Sequence, residues 1–209
     1  MATPLNQLAV AGVNRTLTAP PATVSGTTMV LDSWSTGQSA TEIVFRAPAR
    51  DTTYRAFYRV DGGSIGTGSG LSATYFGSPD FTDPMVSRID RVPYFTWGKG
   101  RPAPGVPKNG FSAQWAGSVE AQFSETYTFS VPVRGDDEVR LTVDGVTLID
   151  TFGNRATGTL TGKVDLRAGV AVPIAVEFSE GTGPASLALS WSSSSTPASA
   201  IPGSQLGAT

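Results

Sequence analysis

Two adjacent carboxylates, Asp136 and Asp137, are the side chains whose types and spacing best suit chemistry in this sequence. Neighbouring residues of a β-strand point to opposite faces, so the pair can share a ligand only where the backbone is kinked. Two interpretations stay open. The aspartates are turn residues that accept hydrogen bonds from turn amides, or they form part of a site for a hard cation such as calcium, which prefers oxygen ligands.

The element that must position this pair follows it directly. Residues 139–143 alternate between apolar and polar side chains, and the run reverses at Asp144-Gly145. An Asp-Gly pair between two alternating runs is typical of a two-residue hairpin turn, because both central residues need a positive φ. The sequence therefore predicts that the aspartate pair stands at the entrance to a β-hairpin.

The absence of cysteine and histidine from the sequence excludes several kinds of site. Disulfides, Cys/His zinc sites, cysteine nucleophiles and histidine-based triads are all ruled out. Carboxylate chemistry remains, either as an oxygen-ligand cation site or as a glycosidase-like pair of acids about 5–9.5 Å apart. No sequence motif indicates such a pair of acids, so we expect no enzymatic activity and assign no catalytic residues.

Charge and hydropathy limit the partners. A formal net charge of −2 gives no basic stripe for phosphates, so nucleic acid is not an expected partner. No window approaches the roughly 20 apolar residues of a membrane span. The N-terminal residues lack the features of a secretory signal peptide. Three explanations stay open: a piece of a longer secreted protein, a mature protein numbered from an added Met, or a virion component.

The composition predicts an all-β protein. The sequence has 24 glycines and 15 prolines, and no stretch keeps a helical apolar period over three turns. Alternating runs predict strands separated by turns, as in an antiparallel β-sandwich or barrel; they cover residues 127–131, 139–143, 172–178 and 187–191. Trp97, Trp115 and Trp191 lie within strand patterns, so we expect them in the core rather than on a sugar-stacking surface.

A glycine-rich segment divides the chain. Five glycines among residues 61–70 predict a flexible linker at 62–70. It separates a small β-rich spacer module, residues 1–61, from a larger domain, residues 71–206. In the spacer we expect strands at 43–46 and 53–60, with Trp34 buried at a strand end. This part is similar to the small β repeats of bacterial extracellular multidomain proteins, including internalin-type B repeats.

A series of motifs in residues 71–206 points to one fold. In chain order they are Tyr75-Phe76, Arg88-Ile89-Asp90, Tyr94-Phe95-Thr96-Trp97-Gly98, Gln114-Trp115-Ala116-Gly117, Asp136-Asp137-Glu138-Val139, Val143-Asp144-Gly145 and Leu187-Ala188-Leu189-Ser190-Trp191. Together they resemble the antiparallel β-sandwich domain named after anthrax protective antigen, here the PA-fourteen family. Similar domains occur in yeast flocculins, epithelial adhesins, bacterial adhesins and glycosidase inserts.

The resemblance implies a role for the aspartate pair. In lectin-like members of the family the two aspartates are joined by a cis peptide and ligate calcium, which binds vicinal sugar hydroxyls; Asp136 and Asp137 match that motif. For the remaining contacts we expect the loop at 179–184, with Glu180, Gly181, Thr182 and Gly183, and more weakly Asn154. Other members keep the pair without being lectins.

We therefore expect a small β module followed by a non-catalytic, calcium-dependent carbohydrate-binding module. Its expected partners are surface glycans or polysaccharide, together with neighbouring domains of a larger adhesin, at the cell surface or outside the cell. The competing interpretation is a structural or decoration module of a surface assembly or phage virion. In that case virion proteins are the partners and no sugar is bound.

Overall fold

The computed structural model describes residues 9–24, 27–38, 40–60 and 66–209. The chain divides into two compact units, Met1–Asp61 and Gly62–Thr209. The described residues contain β-strands and a single 3₁₀ turn, Gly203–Gln205, and no α-helix. The predicted all-β fold class is confirmed. Within this described part, no helix is long and apolar enough to span a membrane.

The N-terminal unit is a small β structure. Its strands are β1 (Asn14–Thr18), β2 (Ala22–Val24), β3 (Thr27–Trp34), β4 (Glu42–Arg46) and β5 (Ala56–Val60). β1 pairs with β4, and β2, β3 and β5 form a three-stranded sheet. Trp34 is the last residue of β3, is buried, and donates its indole N–H to the Ala40 carbonyl at 2.8 Å. The predicted strand-end anchor is confirmed.

The C-terminal unit holds the remaining thirteen strands. They are β6 (Leu71–Phe76), β7 (Pro84–Asp90), β8 (Tyr94–Gly98), β9 (Ser112–Glu120), β10 (Glu125–Val133), β11 (Glu138–Val143), β12 (Val146–Asp150), β13 (Gly158–Leu166), β14 (Ala171–Ser179), β15 (Ala185–Ala188), β16 (Ser190–Ser192), β17 (Ser199–Ala200) and β18 (Leu206–Ala208). A seven-stranded sheet has the order β12-β11-β14-β9-β6-β7, with β18 also paired to β9. A four-stranded sheet has the order β13-β10-β16-β17, and β15 pairs with β8.

Alternation along the strands builds the core of this unit. Tyr127, Phe129 and Val131 of β10 point inward and are fully buried, as are Leu141 and Val143 of β11. They belong to one continuous apolar cluster to which both larger sheets contribute side chains, as in a β-sandwich. Apolar burial of this kind is the main stabilising contribution to the fold.

The tryptophans follow the expected core placement, with one difference. Trp115 and Trp191 are buried, whereas Trp97 is half-buried. Trp97 stacks on Phe95, with ring centroids 5.0 Å apart, and packs against the core cluster. The core interpretation is therefore confirmed for Trp115 and Trp191 and holds in part for Trp97.

The predicted run at 187–191 is two strands rather than one. β15 pairs with β8, whereas β16 pairs with β10 in the four-stranded sheet. Leu189 lies between them, is fully buried, and donates its N–H to the Pro93 carbonyl at 3.1 Å. The apolar alternation continues through the switch because both sheets face the same core.

The glycine-rich segment differs from a flexible linker where the structure describes it. Residues 61–65 lie outside the described residues. The N–H of Gly68 donates to the Ser204 carbonyl at 2.9 Å, and that of Gly70 donates to the Leu206 carbonyl at 3.0 Å. A side chain at residue 68 would overlap the Leu206 backbone. These glycines permit close backbone approach, so residues 66–70 pack as part of the C-terminal unit.

Candidate functional site

The hairpin that follows the aspartate pair has the predicted turn. β11 and β12 are joined by Asp144 and Gly145, whose φ angles are 50° and 76°. Before β11 the chain makes a second turn, in which the Asp137 N–H donates to the Arg134 carbonyl at 3.1 Å and Gly135 has a φ of 61°. Asp136 and Asp137 therefore stand in a turn, where the opposite-face rule for strand residues does not apply.

Asp136 is fixed by the loop that follows β14. The Thr182 hydroxyl donates to Asp136 Oδ2 at 2.9 Å. A side chain at residue 181 would collide with the Asp136 carboxyl group, so this contact requires glycine at that position. The hydrogen bond from Thr182 is the main reason that the pKa of Asp136 lies below its ordinary value.

Asp137 is buried beside other acids. The residue is 5% exposed, and its carboxylate accepts a hydrogen bond from the Gly181 N–H. Burial, then the charge of Glu180, then that of Asp136 raise the pKa of Asp137 to about 7. The ionised form of Asp137 is therefore unfavourable in this environment unless a positive charge approaches it.

Glu180 is the most deeply buried acid of the site, with no exposed surface. Its Oε2 accepts from the Gly110 N–H at 2.8 Å. Its Oε1 is buried and has no hydrogen-bond partner among the residues that the structure describes. Burial raises the pKa of Glu180 above its ordinary value. A buried carboxylate oxygen without a partner is costly, which makes it informative about a ligand.

A second loop, before β9, holds the loop that carries Glu180. The N–H of Glu180 donates to the Phe111 carbonyl at 2.9 Å, and the N–H of Gly183 donates to Asn109 Oδ1 at 3.4 Å. Sequence reasoning missed Asn109 and Gly110. The Asn-Gly pair is a turn signal, and Gly110 has a φ of 68°, but nothing local indicates a partner about 70 residues away.

Asn154 makes no hydrogen bond to this cluster within the part of the chain that the structure describes. Asn154 is exposed in the loop after β12, where its N–H donates to the Thr151 carbonyl at 3.0 Å. Its neighbour Arg155 lies close enough for its charge to contribute to the lowered pKa of Asp136, after the larger effect of Thr182. An open depression at this end of the sandwich is lined by Arg134, Gly135, Asp136, Asp137, Thr182 and Pro184.

Two features differ from the arrangement that the resemblance implied. The peptide between Asp136 and Asp137 is trans, since the described residues contain no cis peptide. Among the described residues, no group of three or more acidic side chains lies close enough together to form a set of metal ligands. The three acids instead accept from three different donors: Asp136 from Thr182, Asp137 from Gly181, and Glu180 from Gly110.

Known proteins resemble this chain in sequence and in fold. The family model described as PA14 domain matches residues 68–205. The anti-sigma-I factor RsgI3 of Acetivibrio thermocellus is 41% identical over 141 residues, which is 68% of this chain and 22% of that protein. The chain therefore corresponds to about a fifth of the length of this curated relative.

Solved structures extend the comparison. An anti-sigma factor domain-containing protein from Clostridium clariflavum has a TM-score of 0.65 and 28% identity, covering 82% of this chain and 58% of that one. This coverage exceeds the share of the C-terminal unit, so the match reaches into the N-terminal unit. The PA14 sugar-binding domain of an RTX adhesin shares the fold, with a TM-score of 0.55, 17% identity, and coverage of 68% of this chain and 99% of that one.

Proposed function

This chain belongs to the PA14 domain family through residues 68–205, and from that premise we propose that its C-terminal unit is a non-catalytic, calcium-dependent carbohydrate-binding module. The observation that carries this proposal is the meeting of Asp136, Asp137 and the Glu180 loop at one end of the sandwich, where Asp137 has a pKa raised to about 7. The 17%-identical neighbour described as sugar-binding supports the fold on which such a site stands.

The chemistry of the site fits a hard divalent cation. Asp137 and Glu180 are buried carboxylates, and Glu180 Oε1 has no partner among the described residues. Two close acids in a water-poor environment favour either a shared proton or a bound cation. The side-chain atoms that could ligate a metal are all oxygens, which suits calcium. They exclude the thiolate and imidazole ligands that zinc sites use.

The residues of the two loops have distinct proposed roles. Asp136 and Asp137 hold the ion, and Thr182 orients the Asp136 carboxylate through its hydrogen bond. Gly181 brings its backbone against Asp136, the Gly183 N–H is held by Asn109, and Glu180 is the fully buried acid of the same loop. When bound, calcium supplies exchangeable positions for two neighbouring sugar hydroxyls. Asn154 is the proposed hydroxyl contact from the loop after β12.

The relatives add a second candidate at the level of the whole protein. The 41% identity with part of an anti-sigma-I factor supports a chain that serves as one module of a longer regulatory protein. The carbohydrate-binding proposal applies to the module itself, with surface glycans or polysaccharide as partners outside the cell. The reading frame on both sides of the 209 residues tests the second candidate. Continuation into a longer regulatory protein would support it, whereas neighbouring capsid or tail genes would favour the virion decoration hypothesis.

The test of the proposed function is a glycan array probed with the intact chain in calcium, and again in chelator. We expect binding to one class of glycan in calcium and its loss in chelator. The Asp137→Ala variant should lose binding while its circular dichroism and unfolding transition stay cooperative. Binding that persists in chelator or in the variant would contradict the calcium mechanism, and silence of the native chain in both conditions would favour a structural module.

A further inference from the structure

An arginine lies in the depression beside the acids. Arg134 is exposed and lines the same depression as Asp136, Asp137 and Thr182. Its backbone carbonyl accepts from the Asp137 N–H at 3.1 Å, which fixes its main chain in the turn. Its guanidinium makes no ion pair or hydrogen bond within the part of the chain that the structure describes. The charged end of Arg134 is therefore available to a ligand.

A second arginine stands near the same acids. Arg155 is exposed in the loop after β12, and its charge acts on Asp136 without an ion pair within 4.0 Å in the described chain. The other close acid–arginine pairs of this unit differ: Arg88 bonds Asp90 at 2.6 Å, and Arg140 bonds Asp150 at 3.0 Å. Arg134 therefore lines the depression and Arg155 stands near Asp136, and neither guanidinium has an ion-pair partner among the described residues.

Two unpaired guanidinium groups can donate hydrogen bonds to neutral hydroxyls, but they oppose a cation that is bound beside them. Like charges repel, so each arginine lowers the affinity for a divalent cation. A negatively charged group of the ligand, placed beside the guanidinium groups, offsets this repulsion.

We propose that this site selects acidic glycans, whose carboxylate or sulfate group is bound by Arg134 and Arg155 while the cation binds neighbouring hydroxyls. This inference rests on the proposed function and names the class of sugar for it. The planar guanidinium presents paired N–H donors that match the oxygens of a carboxylate or a sulfate. Hexuronates and sulfated hexoses share this chemistry, and the experiment separates them.

The experiment is isothermal titration calorimetry in excess calcium with four sugars of matched stereochemistry. They are a methyl hexuronide, its methyl ester, the neutral methyl hexoside and the hexoside sulfate, in the glucose and galactose series. We expect the acid or the sulfate to bind about tenfold more tightly than the ester and the neutral sugar. A factor of this size corresponds to the net gain of one charge-assisted hydrogen bond. Whichever anion binds more tightly identifies the group.

Variants decide whether the arginines are responsible. The double variant Arg134→Gln with Arg155→Gln should bind acid and ester equally, at the native affinity for the ester. The matched control is Arg167→Gln, which removes an exposed arginine next to the far end of the β10–β13 pair. It should keep the native preference. Because all proteins meet the same calcium and sugar solutions, chelation by the sugar itself cancels in the comparison.

Each contrary result has a separate meaning. Equal native affinity for acid, ester and neutral sugar overturns this inference and leaves the proposed function standing. A preference that survives in the double variant overturns the assignment to these arginines. If the native chain binds none of the sugars, nor any glycan of the array, both this inference and the proposed function fail.

Discussion

The α-carbon of Gly181 lies so close to the carboxyl group of Asp136 that no side chain fits between them. The next residue, Thr182, donates its hydroxyl to the same carboxylate at 2.9 Å. Two segments separated by more than forty residues are thereby fixed against each other. Because this contact sets the position of one acid of the proposed calcium site, it can be tested directly.

Replacing Gly181 with alanine should displace the Asp136 carboxylate. The added methyl group must push Asp136 away or shift the loop, since overpacking typically costs about 1–3 kcal/mol. We expect the free energy of unfolding to fall by that amount and calcium affinity to fall at least tenfold. Denaturant titration and calorimetry measure the two effects.

A double-mutant cycle provides the control. In the Asp136→Ala background the methyl group at residue 181 meets no carboxylate, so Gly181→Ala should cost much less than in the native protein. An equal cost in both backgrounds would mean that the glycine is required by its own backbone and not by its contact with Asp136.

Replacing Asp137 with asparagine should stabilise the calcium-free protein at neutral pH. The change keeps an acceptor for the Gly181 N–H and removes a buried negative charge from beside Glu180. The expected result is a higher melting temperature in chelator, with no further rise on adding calcium. The native protein should instead gain stability from calcium, because an ion that binds the folded state shifts unfolding by mass action.

Asp144→Asn is the matched control for this variant. It makes the same change of charge at an exposed residue of the hairpin turn, where asparagine tolerates the positive φ of 50°. It should leave both the melting temperature and the calcium response near native values. An Asp137→Asn protein that still responds to calcium would contradict the assignment of that residue as a ligand.

The raised pKa of Asp137 predicts a pH dependence in chelator. Between the ordinary value of 3.8 and about 7, the folded protein binds this proton more strongly than the unfolded chain does. Stability from this group is therefore present at low pH and is lost as the pH rises through 7. Relative to Asp137→Asn, the native protein should lose roughly 3–4 kcal/mol between pH 4 and pH 8. A constant difference between the two proteins would mean that Asp137 titrates normally.

The core predicts a separate effect on stability. Asp90 is buried and accepts from the Tyr75 hydroxyl at 2.5 Å, the Trp115 indole N–H at 2.8 Å and the Arg88 side chain at 2.6 Å. In Asp90→Asn, an amide N–H group replaces one acceptor oxygen and faces the N–H and O–H donors. This should lower the free energy of unfolding by about 3 kcal/mol, whereas Tyr75→Phe should lower it by about 1 kcal/mol. Calcium affinity should stay native in both. A loss of calcium binding without loss of stability would contradict this separation.

Local patterns made much of the fold predictable. The Asp144-Gly145 turn follows from the backbone angles that a two-residue hairpin demands, and the burial of β10 follows from its alternation of side chains. The position of the glycine-rich segment was predictable, but the packing of residues 66–70 was not. Glycines that serve flexibility and glycines that admit a neighbouring backbone look alike in a sequence.

The sequence was enough to predict that the two aspartates belong to the site, but not which residues surround them. Nothing near Glu180 indicates that this acid is fully buried, or that Gly110 caps one of its oxygens. Such contacts join loops that are distant in sequence and come together only when the sheets pair. Arg134 is adjacent to the aspartates, yet its place in the depression depends on the turn that the Asp137 N–H makes with its carbonyl.

The most direct measurement is a calorimetric titration of calcium into the metal-free native chain and into the Asp137→Ala variant, with and without an array-selected glycan. We predict one calcium ion per native chain, tighter calcium binding in the presence of the glycan, and no binding by the variant. Mutual tightening is required by linkage if the glycan binds the calcium-loaded protein more tightly than the calcium-free protein. Calcium uptake that is equal in both proteins, or unaffected by the glycan, would contradict the account.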